Sequence, residues 1–342
     1  MADSSLLSTS RQATRFLIRR ACLGPIALLA LSGCTRLQVR LGSKVHLEAV
    51  PVKSMQARLA KGPGIVPGQK SSLVAVITDA DGKVLQTEGA GQGKVLWSDL
   101  KVTASVVTAN KKGVVSLPRD PRVSDGKMPH VTITMPSHPD IRAELDIPVR
   151  YDYNFTANFS GSSGTSGFNG TDGLDGTSGS IGSIDPNNPS PGGNGSDGTN
   201  GSNGQDGGRG GDAPPVQIRV ALRSGSHPLL QMDVVAPGRE EVFLIDPYGG
   251  SLTVAADGGS GGSGGKGGRG GRGGSGGTGT PNGSRGRDGT DGRNGWDGSS
   301  GRGGSITVTY DPAVARYLGV IHLSNRGGPA PVFNEEPVAP LW

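Results

Sequence analysis

Short stretches in which apolar and polar residues alternate recur along most of the chain, and they predict β-strands. Residues 73–78 and 84–86 are joined through Asp81-Gly82, a pair that favours a tight hairpin turn. Residues 102–108 and 130–135 alternate in the same way. Further predicted strands lie at residues 216–222, 229–235, 241–245, 252–255, 306–310 and 318–323. We therefore expect a mainly β protein, with little or no α-helix beyond its amino-terminal segment.

Four glycine-rich runs interrupt this pattern, with glycine at every third position or in Gly-Gly-X triplets. They are run 1 (residues 161–182), run 2 (192–210), run 3 (258–279) and run 4 (283–304). Residues 183–191, rich in Pro and Asn, separate runs 1 and 2, and the shorter segment 280–282 separates runs 3 and 4. Both segments have turn composition. The runs therefore predict two hairpins, 161–210 and 258–304, with arms of similar length.

The period of three residues predicts the backbone conformation of the runs. It fits neither an α-helix nor a strand, but it is the period of polyproline II. All glycines of a run then lie along one edge, where another backbone approaches closely enough to exchange hydrogen bonds. The pattern resembles the polyglycine II bundles of some antifreeze proteins and phage fibre tips, in which such helices stack side by side. Each arm would be about 65 Å long in this conformation.

Two other interpretations of the runs stay open from the sequence, a collagen-like trimer and a flexible linker. Collagen stiffens its chains with proline, and none of the four runs contains one. Glycine and serine at this density also make flexible coil, but a linker has no reason to keep glycine in register through repeated triplets. Both arguments favour the bundle.

The side chains between the glycines form rows along each run. Run 3 has two glycine edges and one outer row, which includes Lys266, Arg269 and Arg272. We expect this run to lie at the centre of the bundle, with the most neighbours. The other runs each carry a row rich in Asp and Asn, and the cationic row of run 3 would lie beside these acids. Trp296 in run 4 is expected to cover the bundle rather than to bind a ligand.

The amino terminus has the composition of an export signal. Four arginines precede an apolar stretch, residues 21–31, that is too short to span a bilayer. The stretch ends in Leu31-Ser32-Gly33-Cys34, which resembles the lipobox of bacterial lipoproteins. This resemblance implies removal of the signal peptide, residues 1–33, and attachment of a lipid to the Cys34 sulfur. Thr35 follows where Asp would imply retention in the inner membrane, so the resemblance implies a lipid anchor in the outer membrane, facing the periplasm or the cell surface.

Loss of the signal peptide changes the charge of the protein. The full chain has a formal charge of +5, and removing four arginines and one aspartate leaves 30 basic and 28 acidic residues, or +2. Nucleic-acid binding requires a clustered basic face, and the sequence does not predict one, so we expect no nucleic-acid partner. Cys22 leaves with the signal and Cys34 carries the lipid, which excludes an internal disulfide in the mature chain.

These boundaries divide the chain into segments. A lipidated tether at residues 34–44 leads to a β-domain at 45–160, which resembles an Ig-like sandwich in the spacing of its short strands. A second β-region at 211–257 lies between the two glycine hairpins. The returning strands at 305–325 and a carboxyl-terminal tail at 326–342 complete the chain. Because predicted strands flank each hairpin, we expect those strands to pair and both hairpins to start from one sheet.

The patterns that suggest catalysis or cofactors arise from the repeats themselves. Gly-Gly-Ser-Gly-Gly around Ser260 matches a nucleophile elbow, yet it recurs in frame at Ser263. Residues 192–197 match the start of a calcium-binding nonapeptide, but Thr199 occupies its apolar eighth position and the nonapeptide does not recur. The five histidines are scattered, without ligand spacing. We expect no enzyme activity, no metal site and no cofactor besides the lipid on Cys34, with calcium as a minor alternative.

The sequence thus predicts a lipid-anchored protein of the cell envelope that displays a glycine-rich rod for adhesion, surface recognition or spacing. The alternative is an envelope carbohydrate-binding module or enzyme with its site in the β-regions. The predicted binding surface is the far end of the rod, where both turns should meet. Its candidate binding residues are Asp185, Asn187, Asn188 and Asn282. The partner would be an envelope or surface component.

Overall fold

The computed structural model describes residues 43–342 except 224 and 226, and it is mainly β, as predicted. The helices of the described residues are all short 3-10 helices. Cys34 and the predicted signal peptide lie outside the described residues. The chain divides into two compact units after Arg150, ahead of the predicted boundary at residue 160. Residues 151–160 belong with the second unit because their strand pairs there.

The first unit contains eight strands, a count that covers residues 43–150. They are β1 (Val52–Leu59), β2 (Lys70–Asp79), β3 (Val84–Gln86), β4 (Lys101–Ser105), β5 (Thr108–Ala109), β6 (Val114–Ser116), β7 (His130–Thr134) and β8 (Arg142–Asp146). The 3-10 helices of this unit are Leu47–Ala49, Gly89–Gly91, Trp97–Asp99 and Pro121–Val123.

These strands form two antiparallel sheets around one hydrophobic core. The first sheet has the order β1-β2-β6-β5, with β3 paired to β2, and the second has the order β4-β7-β8. Leu73 and Ile77 of the first sheet are fully buried in the same cluster as Val131 and Ile133 of the second. The alternation that predicted the strands places these side chains on the inner faces.

The hairpin predicted around Asp81-Gly82 is present, since β2 and β3 pair antiparallel and Gly82 has φ +82°. The prediction of one continuous strand at residues 102–108 is wrong. It is broken at Val106, where φ is +66° and the backbone N–H of Val107 donates to Ser105 at 2.7 Å. This tight turn carries the chain from β4 in one sheet to β5 in the other.

The described residues of the second unit form a further eight strands. They are β9 (Asn154–Asn158), β10 (Val216–Arg223), β11 (Leu229–Ala236), β12 (Arg239–Ile245), β13 (Ser251–Ala255), β14 (Ile306–Tyr310), β15 (Ile321–Ser324) and β16 (Val332–Glu335). A 3-10 helix spans Pro312–Val320, so the strand predicted at residues 318–323 begins only at Ile321. The Asp311 side chain caps this helix by accepting from the backbone N–H of Ala313 at 2.9 Å.

The strands of the second unit also form two sheets. One is mixed, with the order β12-β11-β10-β14-β16, and the other is fully parallel, with the order β15-β13-β9. The rings of Phe155 and Phe243 meet between them, with centroids 5.7 Å apart. The expectation that both hairpins start from one sheet is therefore wrong. Run 1 leaves β9 in the parallel sheet, whereas run 2 enters β10 in the mixed sheet, so the two strands that flank the first predicted hairpin do not pair.

Candidate functional site: the glycine runs and their end turns

The glycine runs continue the strands that precede or follow them. In the parallel sheet, β9 pairs with β13, and the pairing extends outward through Phe159, whose N–H donates to Ala255 at 2.7 Å. The next bond joins Gly161 to Asp257 at 2.9 Å, where runs 1 and 3 begin. In the mixed sheet, β10 and β14 are joined in the same parallel sense, and runs 2 and 4 lead into them. Each sheet is thus continuous with one parallel pair of runs.

Regular backbone hydrogen bonds join the parallel runs at every triplet. Between runs 1 and 3 they proceed from Gly164 donating to Ser260 at 2.8 Å up to Gly182 donating to Thr278 at 2.7 Å. Between runs 2 and 4 the same spacing is kept, for example from Gly195 to Ser284 at 2.9 Å. In each bond a glycine N–H is the donor. The repeat of three residues therefore sets the period of the hydrogen bonds.

Antiparallel bonds join the two pairs of runs to each other. Ser196 of run 2 donates to Thr177 of run 1, and Gly268 of run 3 donates to Ser202 of run 2, both at 2.9 Å. Gly292 of run 4 donates back to Gly268 at 2.8 Å. Run 3 is therefore bonded to all three other runs, as its two glycine edges suggest. Run 2 has three bonded neighbours as well, so run 3 is not alone at the centre.

The glycines are required because the neighbouring backbone occupies the space of a side chain. A Cβ added to Gly268 would overlap the carbonyl oxygen of Thr171, and one added to Gly267 would overlap that of Gly292. No flexible side chain is involved in either overlap, so local rearrangement gives no relief. Arg269, the third residue of this triplet, is exposed.

The Asp and Asn rows bind neighbouring backbones instead of the cationic side chains of run 3. Asp172 Oδ1 accepts from the N–H of Arg269 at 2.7 Å, and Asn169 and Asp175 bind run 3 in the same way. The remaining members of the rows, which bind runs 3 and 4, are Asn194, Asp197, Asn200, Asn203, Asp206, Asp288, Asp291, Asn294 and Asp297. The short Asp and Asn side chains therefore accept from the backbone N–H groups that make no hydrogen bond to the backbone of another run.

Hydroxyl groups serve the same purpose between runs 1 and 2. The N–H groups of Thr171, Leu174 and Thr177 each donate at 2.7 Å to a Ser or Thr hydroxyl of run 2. The side chains in these rows are therefore short, so that each reaches the backbone of the adjacent run. This explains why Ser, Thr, Asp and Asn occupy most positions between the glycines.

A carboxylate holds the base of run 3. Asp257 accepts from the Ser324 hydroxyl and from the N–H of Arg326, both at 2.7 Å. The Ser324 hydroxyl, together with the N–H and charge of Arg326, holds the pKa of the Asp257 carboxyl below its ordinary value. Asp257 therefore links the segment after β15 to the start of run 3.

The two end turns lie together. Thr280 donates its N–H to Ser190 at 2.9 Å, and Gly192 donates to Pro281 at 3.0 Å. Because runs 1 and 3 are parallel and both begin at the parallel sheet, residues 183–191 and 280–282 reach the same end of the runs. This end is the one remote from the strands.

The four candidate residues have different positions in this end. Asp185 holds the longer turn, with Oδ1 accepting from the N–H of Asn187 at 2.9 Å and its carbonyl accepting from Asn188 at 3.0 Å. The side chains of Asn187 and Asn188 are exposed. Asn282 accepts from the N–H of Gly279 at 3.0 Å and so continues the Asp and Asn rows. The structure brings the first three into one turn and places Asn282 in the neighbouring one.

Two apolar residues beside the longer turn were missed from the sequence. Ile181 is 84% exposed and Ile184 is 68% exposed. They are three residues apart, so they belong to one row, in which the preceding positions of run 1 are Ser, Asn and Asp. Isoleucine in an otherwise polar row next to a turn was the available signal.

Further apolar side chains are exposed along the runs. Phe168 and Leu174 of run 1 are 76% and 75% exposed. Trp296 of run 4 is 81% exposed, so the expectation that it covers the bundle is wrong. The backbone N–H of Trp296 donates to Asp206 Oδ1 at 2.7 Å. This bond fixes the backbone and leaves the indole in solvent. The row to which it belongs points outward.

The serines that matched a nucleophile pattern are paired with other serines. Ser260 and Ser263 of run 3 donate to Ser163 and Ser166 of run 1, at 3.1 and 3.2 Å. These contacts supply no general base. The match to the nucleophile-elbow pattern is a consequence of the repeat.

One group of side chains in the first unit has a triad-like order. His130 contacts Asp146 through Nδ1 at 2.7 Å and Thr132 through Nε2 at 3.3 Å. The three residues lie on one face of the sheet, because His130 and Thr132 are two positions apart on β7 and Asp146 is the cross-strand partner of His130 on β8. His130 is half-buried and Asp146 is exposed. A cavity of this unit lies elsewhere, beside β4 and β5. Its lining includes one carboxylate, Glu88, and no histidine.

Within the residues that the structure describes, no group of three or more His, Cys, Asp or Glu side chains is arranged to hold a metal ion. The same residues include no helix with the length and apolar character needed to cross a membrane. No protein-family model matches the sequence, and no curated protein sequence matches it either.

Proposed function

We propose that this protein is anchored to the outer membrane through a lipid on Cys34 and that it displays a bundle of glycine-rich helices whose end turns bind a component of a cell envelope or surface. In this proposal the protein is a structural and adhesion protein, and it catalyses no reaction. The lipobox-like sequence Leu31-Ser32-Gly33-Cys34 supports the anchor.

The bundle in this proposal consists of polyglycine II helices. The triplet period supports it, as do the backbone bonds from each run to two or three others. The overlap that a Cβ would cause at Gly267 or Gly268 gives the reason for glycine at these edges. We further infer that the first unit is an Ig-like sandwich, on the basis of its two antiparallel sheets and shared core.

The observation that carries the binding proposal is the meeting of the two end turns. Residues 183–191 and 280–282 come from different hairpins, yet they are hydrogen-bonded to each other at the end remote from the strands. Within the second unit this end is remote from the strands, so it suits contact with a partner. A connector alone needs few residues, as the second turn demonstrates, whereas the first has nine.

The longer turn offers both polar and apolar groups on a fixed backbone. Asp185 closes the turn, and three prolines restrict it further. Asn187 and Asn188 present exposed amides, with Ile181 and Ile184 alongside. A turn that is already ordered loses less conformational entropy on binding. This combination is suited to a surface partner with hydrogen-bonding groups and some apolar surface.

The test replaces residues 183–191 with a three-residue Pro-Asn-Gly connector and measures binding of the labelled protein to intact bacterial cells. We expect binding to fall at least tenfold while the melting temperature changes little. The milder variant Asn187→Ala/Asn188→Ala should weaken binding without altering the turn. Its matched control is Ser299→Ala/Ser300→Ala, which removes two exposed polar side chains near the opposite end of run 4. Unchanged binding by the connector variant, with the fold intact, would leave the end turns without a role.

A further inference from the structure

A cavity of about 730 Å³ lies in the first unit, where β4 begins and β5 ends. Its walls are Lys101 and Val102 of β4 and the segment from Ala109 through Asn110 to Lys112. Its apolar floor includes Leu96, Trp97 and Leu100. The volume is in the range of ligand-binding clefts, and the mixture of an apolar floor with charged walls is typical of them.

The strand beside this cavity is an unpaired edge. β4 is the outermost strand of the sheet β4-β7-β8, and β5 is the outermost strand of the other sheet. Apart from its pairing with β7, the backbone of β4 makes only two further hydrogen bonds among the described residues, which the carbonyls of Ser105 and Lys101 accept from Val107 and the Thr134 hydroxyl. All its residues except Val102 are exposed. An edge of this kind offers a row of backbone donors and acceptors to another strand.

A strained residue connects the two strands that lead to these walls. Val106 has φ +66°, a conformation that β-branched residues rarely adopt. The N–H of Val107 donates to Ser105 at 2.7 Å across it, which closes a turn of three residues between β4 and β5. Strain of this kind persists where the surroundings enforce it, and it clusters at binding sites.

The charge of the cavity is positive. Lys101, Lys111 and Lys112 are exposed, and none of them forms an ion pair with another described residue. The carboxylate in the lining, Glu88, is already bound by Lys44 at 2.7 Å. Three cationic residues therefore line one cleft without a neutralising partner, and an anionic ligand would supply that partner.

We propose that the β4 edge and this cavity bind an extended acidic peptide segment of a partner protein by strand addition. The backbone of the segment pairs with β4, and its acidic side chains contact Lys101, Lys111 and Lys112. Alternate side chains of an added strand point to one face, so one set faces the cavity and the other faces solvent. This site is separate from the end turns, and it does not depend on their role.

A peptide fits these observations better than an acidic oligosaccharide does. Only a polypeptide presents N–H and C=O groups at the repeat of a β-strand, which is what the free edge of β4 can pair with. The lysines alone would accept either ligand. The experiment therefore has to separate backbone pairing from attraction between charges.

The probe is a ten-residue peptide that alternates Glu and Val, titrated into the full-length protein in detergent micelles by calorimetry. We expect saturable binding that a Lys-Val peptide of the same length does not show. Two further peptides carry N-methyl groups on the odd or on the even residues. Strand addition predicts that one N-methylated peptide binds at least tenfold more weakly than the other, because only one set of N–H groups faces β4.

Protein variants complete the test. Lys111→Glu/Lys112→Glu should weaken binding of the Glu-Val peptide at least tenfold. Lys127→Glu, at another exposed site of the same unit, is the matched control and should have little effect. Equal binding of both N-methylated peptides and the parent would overturn strand addition. Binding of oligogalacturonate without binding of the peptide would overturn the proposed class of ligand.

Discussion

The backbone N–H of Arg269 in run 3 donates to Oδ1 of Asp172 in run 1 at 2.7 Å, while the Arg269 guanidinium forms no ion pair with any described residue. The acidic residue is therefore an acceptor for the backbone. The hydrogen bond between Asp172 and this N–H does not depend on the positive charge of the Arg269 side chain.

This relationship predicts that the amide of asparagine replaces the carboxylate of Asp172. We expect Asp172→Asn to change the free energy of unfolding by less than about 0.5 kcal/mol, because Asn retains an oxygen acceptor. Asp172→Ala should cost about 1 kcal/mol, because an N–H loses its partner. Urea denaturation of both variants measures the difference. If Asn proved as damaging as Ala, charge rather than hydrogen bonding would hold the two runs together.

The glycine edges predict a large difference between neighbouring positions of run 3. Gly268→Val should destabilise the second unit by about 3 kcal/mol or more, because its Cβ would overlap the Thr171 carbonyl. Arg269→Val, the matched control, places the same side chain in solvent and keeps the backbone bond. Thermal unfolding followed by circular dichroism compares them. Equal melting temperatures would contradict the close approach of the runs.

The lowered pKa of Asp257 predicts a specific dependence of stability on pH. Its folded-state pKa lies below the unfolded value of about 3.9, so the carboxylate contributes stability above roughly pH 4. That contribution is lost as the pH falls through the folded-state pKa. Asp257→Asn should therefore be less stable than the original protein at pH 7, by about 1 kcal/mol, and equally stable at low pH.

The partner of this carboxylate gives an independent check on that prediction. Ser324→Ala removes the hydroxyl that donates to Asp257, so it should reduce the same acid-sensitive contribution. Denaturation series between pH 2 and pH 7 would measure both variants. A stability difference that is constant across this range would assign the effect to packing instead of to the carboxylate charge.

The lipid anchor predicts different results for the two cysteines of the chain. Cys34→Ser should prevent lipid attachment, because the reaction requires a thiol, and the protein should be left unprocessed or released from the membrane. Cys22→Ser, the matched control, lies within the predicted signal peptide and should be processed normally. Membrane fractionation with metabolic labelling by a fatty acid follows both variants. A Cys34→Ser protein that is processed and retained like the original would disprove the anchor.

The mainly β class was predictable from the sequence, as were the strands with clear alternation. Strand β14 was predicted with its observed bounds, and β10 and β11 to within one residue at their ends. The sequence alone could not reveal the break at Val106, because nothing in the residue types around it distinguishes a tight turn from a continuous strand. The 3-10 helix at Pro312–Val320 was missed for a similar reason, since its apolar residues also fit a short strand.

The glycine period by itself determined which positions must lack a side chain. The two turn segments determined where the chain reverses between runs 1 and 2 and between runs 3 and 4. These are local properties, set by sterics and by the turn residues. Only the tertiary structure decided which runs are neighbours. Because β9 pairs with β13 and β10 with β14, runs 1 and 3 form one parallel pair and runs 2 and 4 form the other. Hydrogen bonds between glycine edges are alike wherever they form, so the strands at the base select the register, and that register brings Ser190 and Thr280 together.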